Sequence, residues 1–366
     1  LLHSLPFTRR RRVTTMTRIR KKATLEGDGT KTKTQSKVPA AAKKKTRRAT
    51  VEEEEKKKDA NWTPEGKKNA EEFMKKYSEL GIDGIKAEFK KEIEPYKSPT
   101  FGEKAFRANA TKNRLKDPTT CSDDSRVSLP EEKQYINASW MYDQTRIARQ
   151  YILTQTPLES TIEDFWTMIF HHKVICVVVL CEKTENGQEM YPDFWPTNNG
   201  DFKNYGNMAV CNKKTEQVQK ESVTTLEVLP EGCSNSHITC MVQLTPWEAT
   251  FTQSTARNLL KIIRVISRLE NLSAGPVAIM DEYSGISRAS ILASVDVMSA
   301  LIYKGDKNQT LPDLVKWARR CRNGAIKSED DYVAVIKTIF EYLYRTNQEK
   351  YNDQFEKICG KPENLN

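Results

Sequence analysis

Long apolar runs and metal-binding spacings are what this 366-residue chain most lacks. No apolar stretch approaches the ~20 residues that a membrane-spanning helix needs, so no integral membrane segment is expected. There are 4 histidines and no Cys-x-x-Cys or paired-histidine motif, so neither a metal ion nor any other cofactor is expected. No internal repeat is visible. The 8 cysteines form no tight framework, and Cys176 and Cys181 lie within the apolar run Val174-Ile175-Cys176-Val177-Val178-Val179-Leu180-Cys181. Such placement reads as reduced, mostly buried thiols. With no secretory leader visible, the expected setting is intracellular, in the cytoplasm.

The charge is present but uneven. The net charge is +10, yet residues 1–60 alone hold 19 Lys and Arg against 7 Asp and Glu, which leaves the remainder slightly acidic. That segment is poor in aromatics and runs through Arg9–Arg12, Lys43–Arg48 and the alternating blocks at 52–58. It cannot bury enough apolar surface to fold alone, so a basic, disordered tail is expected over 1–60 and a folded domain over 61–366. The tail reads either as an electrostatic contact for an anionic partner (RNA, an anionic membrane or an acidic protein) or as a solvated leader.

Beyond the tail, residues 61–98 read as helical. Pro64 stands at a first helical position after Thr63, and Phe73, Met74, Tyr77 and Leu80 are spaced for one apolar face. Strands are expected near 134–140, 149–154, 174–181, 224–229 and 237–244. Helices are expected at 256–269, 291–302, 311–320 and 331–343. This order predicts an α/β (α+β) fold, a mixed and strongly twisted sheet flanked by helices.

One segment joins these elements to chemistry. The apolar run Pro276-Val277-Ala278-Ile279-Met280 leads into Asp281-Glu282-Tyr283-Ser284-Gly285-Ile286-Ser287-Arg288, and a helical pattern follows. Strand, short loop and helix is the layout of an anion cradle, in which loop N–H groups and a helix N-terminus converge. Other motifs occur in order around it: Lys112-Asn113-Arg114-Leu115-Lys116-Asp117, Ser125-Arg126-Val127, Tyr135-Ile136-Asn137-Ala138-Ser139 and Tyr151-Ile152-Leu153-Thr154-Gln155-Thr156-Pro157-Leu158. Asp164-Phe165-Trp166, Phe194-Trp195-Pro196 and Ser328-Glu329-Asp330-Asp331-Tyr332 complete the series. Together they resemble the protein tyrosine phosphatase family over roughly residues 75–348.

The resemblance implies a chemistry of four parts, and this chain departs from each but one. The family's arginine matches Arg288, but Glu282 stands at the place of the nucleophilic cysteine, and no Cys-x5-Arg spacing occurs elsewhere. Asp281 stands where the family has histidine, and Ser287 and Ser290 replace glycines. Trp247-Glu248-Ala249 places Ala249 at the general-acid position, with Glu248 one residue away. Asp331 occupies the place of a water-positioning glutamine. Leu115 replaces the ring that stacks on phosphotyrosine, whereas Asp117 matches a residue that contacts the substrate backbone. The resemblance therefore implies a degenerate member, a pseudophosphatase without catalytic residues, that binds a peptide segment of a signalling protein or shields it. Tyr283, Ser284, Gly285, Ile286 and Ser287 form its cradle loop. Glu282 is expected to fold onto Arg288 and the loop amides as a built-in anion. Two other readings stand beside this one: a weak or altered phosphatase using Glu282 or Glu248, and a tail that tethers a passenger domain to nucleic acid or anionic membrane.

Overall fold

The computed structural model describes residues 62–363 apart from 119–122, 131–134, 142–148, 219–220, 244–246, 248–249 and 271–273. The expected basic tail over 1–60 lies outside the described residues.

In chain order the elements are α1 (Pro64–Glu88), α2 (Lys104–Ala108), β1 (Ala138–Met141), β2 (Tyr151–Gln155), α3 (Ile162–His171), β3 (Cys176–Val179) and the paired β4 (Thr184–Glu185) and β5 (Gln188–Glu189). Then come β6 (Phe202–Tyr205), β7 (Met208–Val218), β8 (Glu221–Pro230), β9 (His237–Gln243), α4 (Gln253–Glu270) and β10 (Val277–Asp281). Four helices close the chain: α5 (Arg288–Lys304), α6 (Leu311–Cys321), α7 (Glu329–Thr346) and α8 (Gln348–Cys359).

An 8-stranded mixed sheet runs β1-β2-β10-β3-β9-β8-β7-β6. β10 lies parallel to both β2 and β3, and β3 lies parallel to β9, while the remaining pairs are antiparallel. Helices flank the sheet on both sides, as the α+β reading expects. β10 is central, so both its faces must be covered, which is why its sequence is continuously apolar rather than alternating. Val277 and Ile279 join the core under α1 and α4 to α8, whereas Ala278 and Met280 join a second core against α3.

α1 starts as expected, with Thr63 Oγ1 accepting the Gly66 N–H at 2.9 Å and Pro64 at the first position. Its apolar face is shorter than its spacing predicts. Phe73, Met74 and Tyr77 are buried, but Leu80 is 38% exposed. Gly81, the next residue, breaks the helical path at φ +65°, and the buried face resumes at Ile85. β6, β7 and α8 are elements that the periodicity did not predict.

Candidate functional site

The loop after β10 is built around two consecutive left-handed residues, Ser284 at φ +59° and Gly285 at φ +78°. Gly285 is required by space as well as by φ. A Cβ there would stand 3.0 Å from the Thr154 backbone nitrogen of β2 and 3.1 Å from Nε of Arg322. Ser284 has a Cβ, and its strained conformation is held by Arg322, whose Nε donates to the Ser284 carbonyl at 2.7 Å. Arg322 is fully buried and also donates to Ser139 Oγ at 2.9 Å and to Asn137 Oδ1 at 3.0 Å. It thus ties the loop to β1 and to the segment before it.

The loop's donors are taken up from within. Asp281, fully buried at the end of β10, accepts the Gly285 N–H at 2.6 Å, the Ser287 N–H at 3.2 Å and the Ala289 N–H at 2.9 Å. The built-in anion on the amides is therefore Asp281, not Glu282 as expected from the sequence. The reason is positional. Asp281 is the last residue of the strand and its side chain turns in under the loop, whereas Glu282, one residue on, turns to the arginine.

Arg288 Nε lies 3.0 Å from Glu282 Oε1. Its two terminal nitrogens fork onto Glu185, at 2.7 and 2.9 Å, and one of them also donates to the Leu180 carbonyl at 2.9 Å. The Trp247 ring covers the guanidinium with its centroid at 5.2 Å. Glu185 was not among the residues singled out from sequence. It belongs to the β4–β5 hairpin, turned by Asn186 and Gly187 at φ +50° and +75°. The Asn-Gly dipeptide is a hairpin signal that could have found the turn, though not the partner of its glutamate.

Burial sets the protonation of the site. It pushes the Glu282 carboxyl up to about 8, helped by the Asp281 carboxyl and opposed by Arg288. Glu282 Oε2 is enclosed and without a hydrogen-bond partner. Burial also raises Asp281, against the N–H groups of Ala289 and Gly285. Burial opposes ionisation of Glu185 too, but the bonds from Arg288 and from the Glu182 N–H hold it below its ordinary value. A protonated Glu282 is favoured by the folded state, so the fold binds more protons than the open chain between pH 4.5 and about 8. Stability should therefore fall as pH rises through that window. Glu282→Gln, a neutral isostere, is expected to flatten this part of the profile in denaturant unfolding; a variant profile parallel to the wild type would show that Glu282 does not titrate there.

Asp331 joins the same cluster. Its Oδ1 accepts from Ser287 Oγ at 3.2 Å and its Oδ2 from the Lys327 N–H at 3.0 Å, and burial pushes its carboxyl up to about 6. Ser290 Oγ accepts the Ile326 N–H at 2.9 Å, so Ser287 and Ser290 bind the loop and the start of α5 to α7 and to the segment before it. Tyr283 is 40% exposed, with Lys327 Nζ 3.9 Å above its ring. Ile286 is buried. The segment bearing Leu115 and Asp117 is brought beside the loop through Gln155, which pairs in register with Asp281. Gln155 Oε1 accepts the Arg114 N–H at 3.0 Å, and its Nε2 donates to the Lys112 carbonyl at 2.9 Å. Leu115 is half-buried and Asp117 exposed. Glu248 and Ala249 lie outside the described residues.

A nearby thiol, Cys181, is held protonated. Burial and the carboxyls of Glu282 and Asp281 push Cys181 well above its ordinary value, so little thiolate is present near neutrality. Among the described residues no group of three or more His, Cys, Asp or Glu is placed to hold a metal ion, and no helix is long and apolar enough to cross a membrane.

Comparison with known proteins identifies the family. The family model described as protein-tyrosine phosphatase matches residues 109–341. Tyrosine-protein phosphatase non-receptor type 9 of Mus musculus is 28% identical over 255 residues, which span 65% of this chain and 42% of that protein. Tyrosine-protein phosphatase non-receptor type 20 of Homo sapiens is 26% identical over 291 residues, 78% of this chain and 64% of that protein. Tyrosine phosphatase-like protein J1 of Microplitis demolitor bracovirus (isolate Webb) is 26% identical over 300 residues, 78% of this chain and 94% of that protein. The chain thus spans less than half of the mouse type 9 protein but nearly all of the viral one.

Proposed function

The chain belongs to the protein-tyrosine phosphatase family, and from that premise we propose that it is a catalytically inactive member that acts as a binding, scaffold or substrate-shielding module. The observation that carries this reading is the occupied loop. Three backbone N–H groups, of Gly285, Ser287 and Ala289, donate to Asp281 rather than to a phosphate, and the guanidinium that would fork onto phosphate forks onto Glu185. A phosphate dianion would have to displace the buried Asp281 and the half-buried Glu185 to enter.

Glu282 is a poor substitute for cysteine on the same geometry. Its side chain is 10% exposed, sits on Arg288 and favours its proton near neutral pH, whereas a nucleophile must be a free carboxylate. A weak phosphatase working through Glu282 is the reading it competes with. With p-nitrophenyl phosphate we expect no turnover above the buffer blank from the wild type or from Glu282→Ala. Turnover in the wild type that disappears in Glu282→Ala would overturn the proposal.

The ligand we propose is a peptide segment of a signalling protein, laid along the surface that carries Asp117. The half-buried Leu115 offers no ring to stack on phosphotyrosine, which favours unphosphorylated segments. Residues 1–60 are proposed as a basic tail that meets an anionic partner, and the setting as the cytoplasm. The non-receptor phosphatases among the relatives support an intracellular protein.

A further inference from the structure

We infer that Cys176 and Cys240 form a redox-sensitive dithiol, which closes to a disulfide when a peroxide reaches it. Two cysteines in parallel neighbouring strands meet here. Cys176 of β3 and Cys240 of β9 are direct register partners, and the Cys240 N–H donates to the Ile175 carbonyl at 3.0 Å. They also share a face of the sheet. Two residues on in each strand, Val178 and Val242 both belong to the core under α1 and α4 to α8. The intervening Val177 and Met241 belong to the opposite core. Adjacent strands stand about 4.7–4.9 Å apart, inside the ~4.4–6.8 Å range of Cα separations that a disulfide spans.

No other two cysteines among the described residues are register partners. Cys176 is fully buried and Cys240 half-buried, so the two have different tasks. Cys240 is the sulfur an oxidant meets first, and Cys176 is the resolving thiol held beside it. Burial raises both thiols, which makes the reaction slow but leaves the second step intramolecular.

The step balances with one peroxide. The Cys240 thiolate attacks a peroxide oxygen and breaks the O–O bond, giving a sulfenic acid and, with one proton, water. The Cys176 sulfur then attacks the Cys240 sulfur, the S–O bond breaks, and the hydroxyl leaves as a second water with the Cys176 proton. The thiols give up two electrons and the peroxide accepts them. The bond would tie together two strands that lead into the site. β3 continues to Leu180, whose carbonyl holds Arg288, and β9 ends at Gln243, whose side chain donates to Tyr191 Oη at 2.6 Å.

The test treats the full native chain with hydrogen peroxide, with and without dimedone, and maps the unreduced digest by mass spectrometry. The wild type should yield a linked Cys176–Cys240 peptide pair with loss of both thiols, reversed by dithiothreitol. Cys176→Ala should instead accumulate the dimedone adduct of Cys240, several-fold above wild type, and Cys240→Ser should leave Cys176 reduced. Equal dimedone labelling of Cys240 in wild type and Cys176→Ala would overturn the inference. So would a Cys240 sulfinic acid beside a free Cys176, or no oxidation of Cys240 at all.

Discussion

Arg322→Ala should cost about 3–5 kcal/mol of unfolding free energy, the largest stability change expected from a single polar side chain in this site. The guanidinium is fully buried and donates to the Ser284 carbonyl, Ser139 Oγ and Asn137 Oδ1. Truncation removes one donor from each of those acceptors in a space walled off from bulk solvent. It also releases the left-handed Ser284, whose carbonyl this arginine holds in place. Arg322→Lys should recover only part of the loss, because one ammonium cannot span three acceptors on a planar fork. Denaturant unfolding with unchanged slope measures both variants; a loss below about 1 kcal/mol for the alanine variant would mean that water replaces the side chain at little cost.

Glu282→Cys, which puts a cysteine where the proposed reading expects the family's nucleophile, is expected to give no turnover of p-nitrophenyl phosphate above the wild type. The new thiol would face the buried Asp281 carboxyl, as Cys181 already does, and such a neighbour raises a thiol where catalysis needs it lowered. The loop amides would still be held by Asp281 and the arginine fork by Glu185. Combining Glu282→Cys with Asp281→His and Ala249→Asp frees the amides and returns a general acid, whose absence alone is worth roughly 10²–10⁴ in rate. That triple variant should show measurable hydrolysis where the single one does not. Hydrolysis by Glu282→Cys alone would show that Asp281 yields the loop when phosphate arrives.

Much of the frame was legible along the chain, for reasons that differ by element. β10 and α5 were visible because an apolar run, a loop of small residues and a helical pattern follow one another, and burial on both faces of a central strand leaves no polar position to confuse the reading. α4 was visible because Leu259, Leu260, Ile262 and Ile266 stay on one buried face. β6 escaped because three of its four residues, Phe202, Lys203 and Asn204, are exposed at the sheet edge, so nothing alternates. α8 escaped in a polar stretch, although Tyr351, Phe355 and Ile358 hold a helical spacing and are all buried. Leu80 was assigned to the core by spacing alone, and the left-handed Gly81 beside it breaks the helical path.

The chain by itself determined the family and the fold class, since these rest on residue type and order. It placed two carboxyls side by side, Asp281 and Glu282, next to one arginine. Which carboxyl fills the loop was decided only by tertiary structure. The end of β10 turns Asp281 under the loop amides, and the next residue turns Glu282 to Arg288. The arginine's main partner, Glu185, is 103 residues away, and the loop's anchor, Arg322, is 38 residues from the serine that it holds. Hydrogen bonds act over about 3 Å, and separations of that length in sequence become neighbours only when the sheet and its helices bring them together.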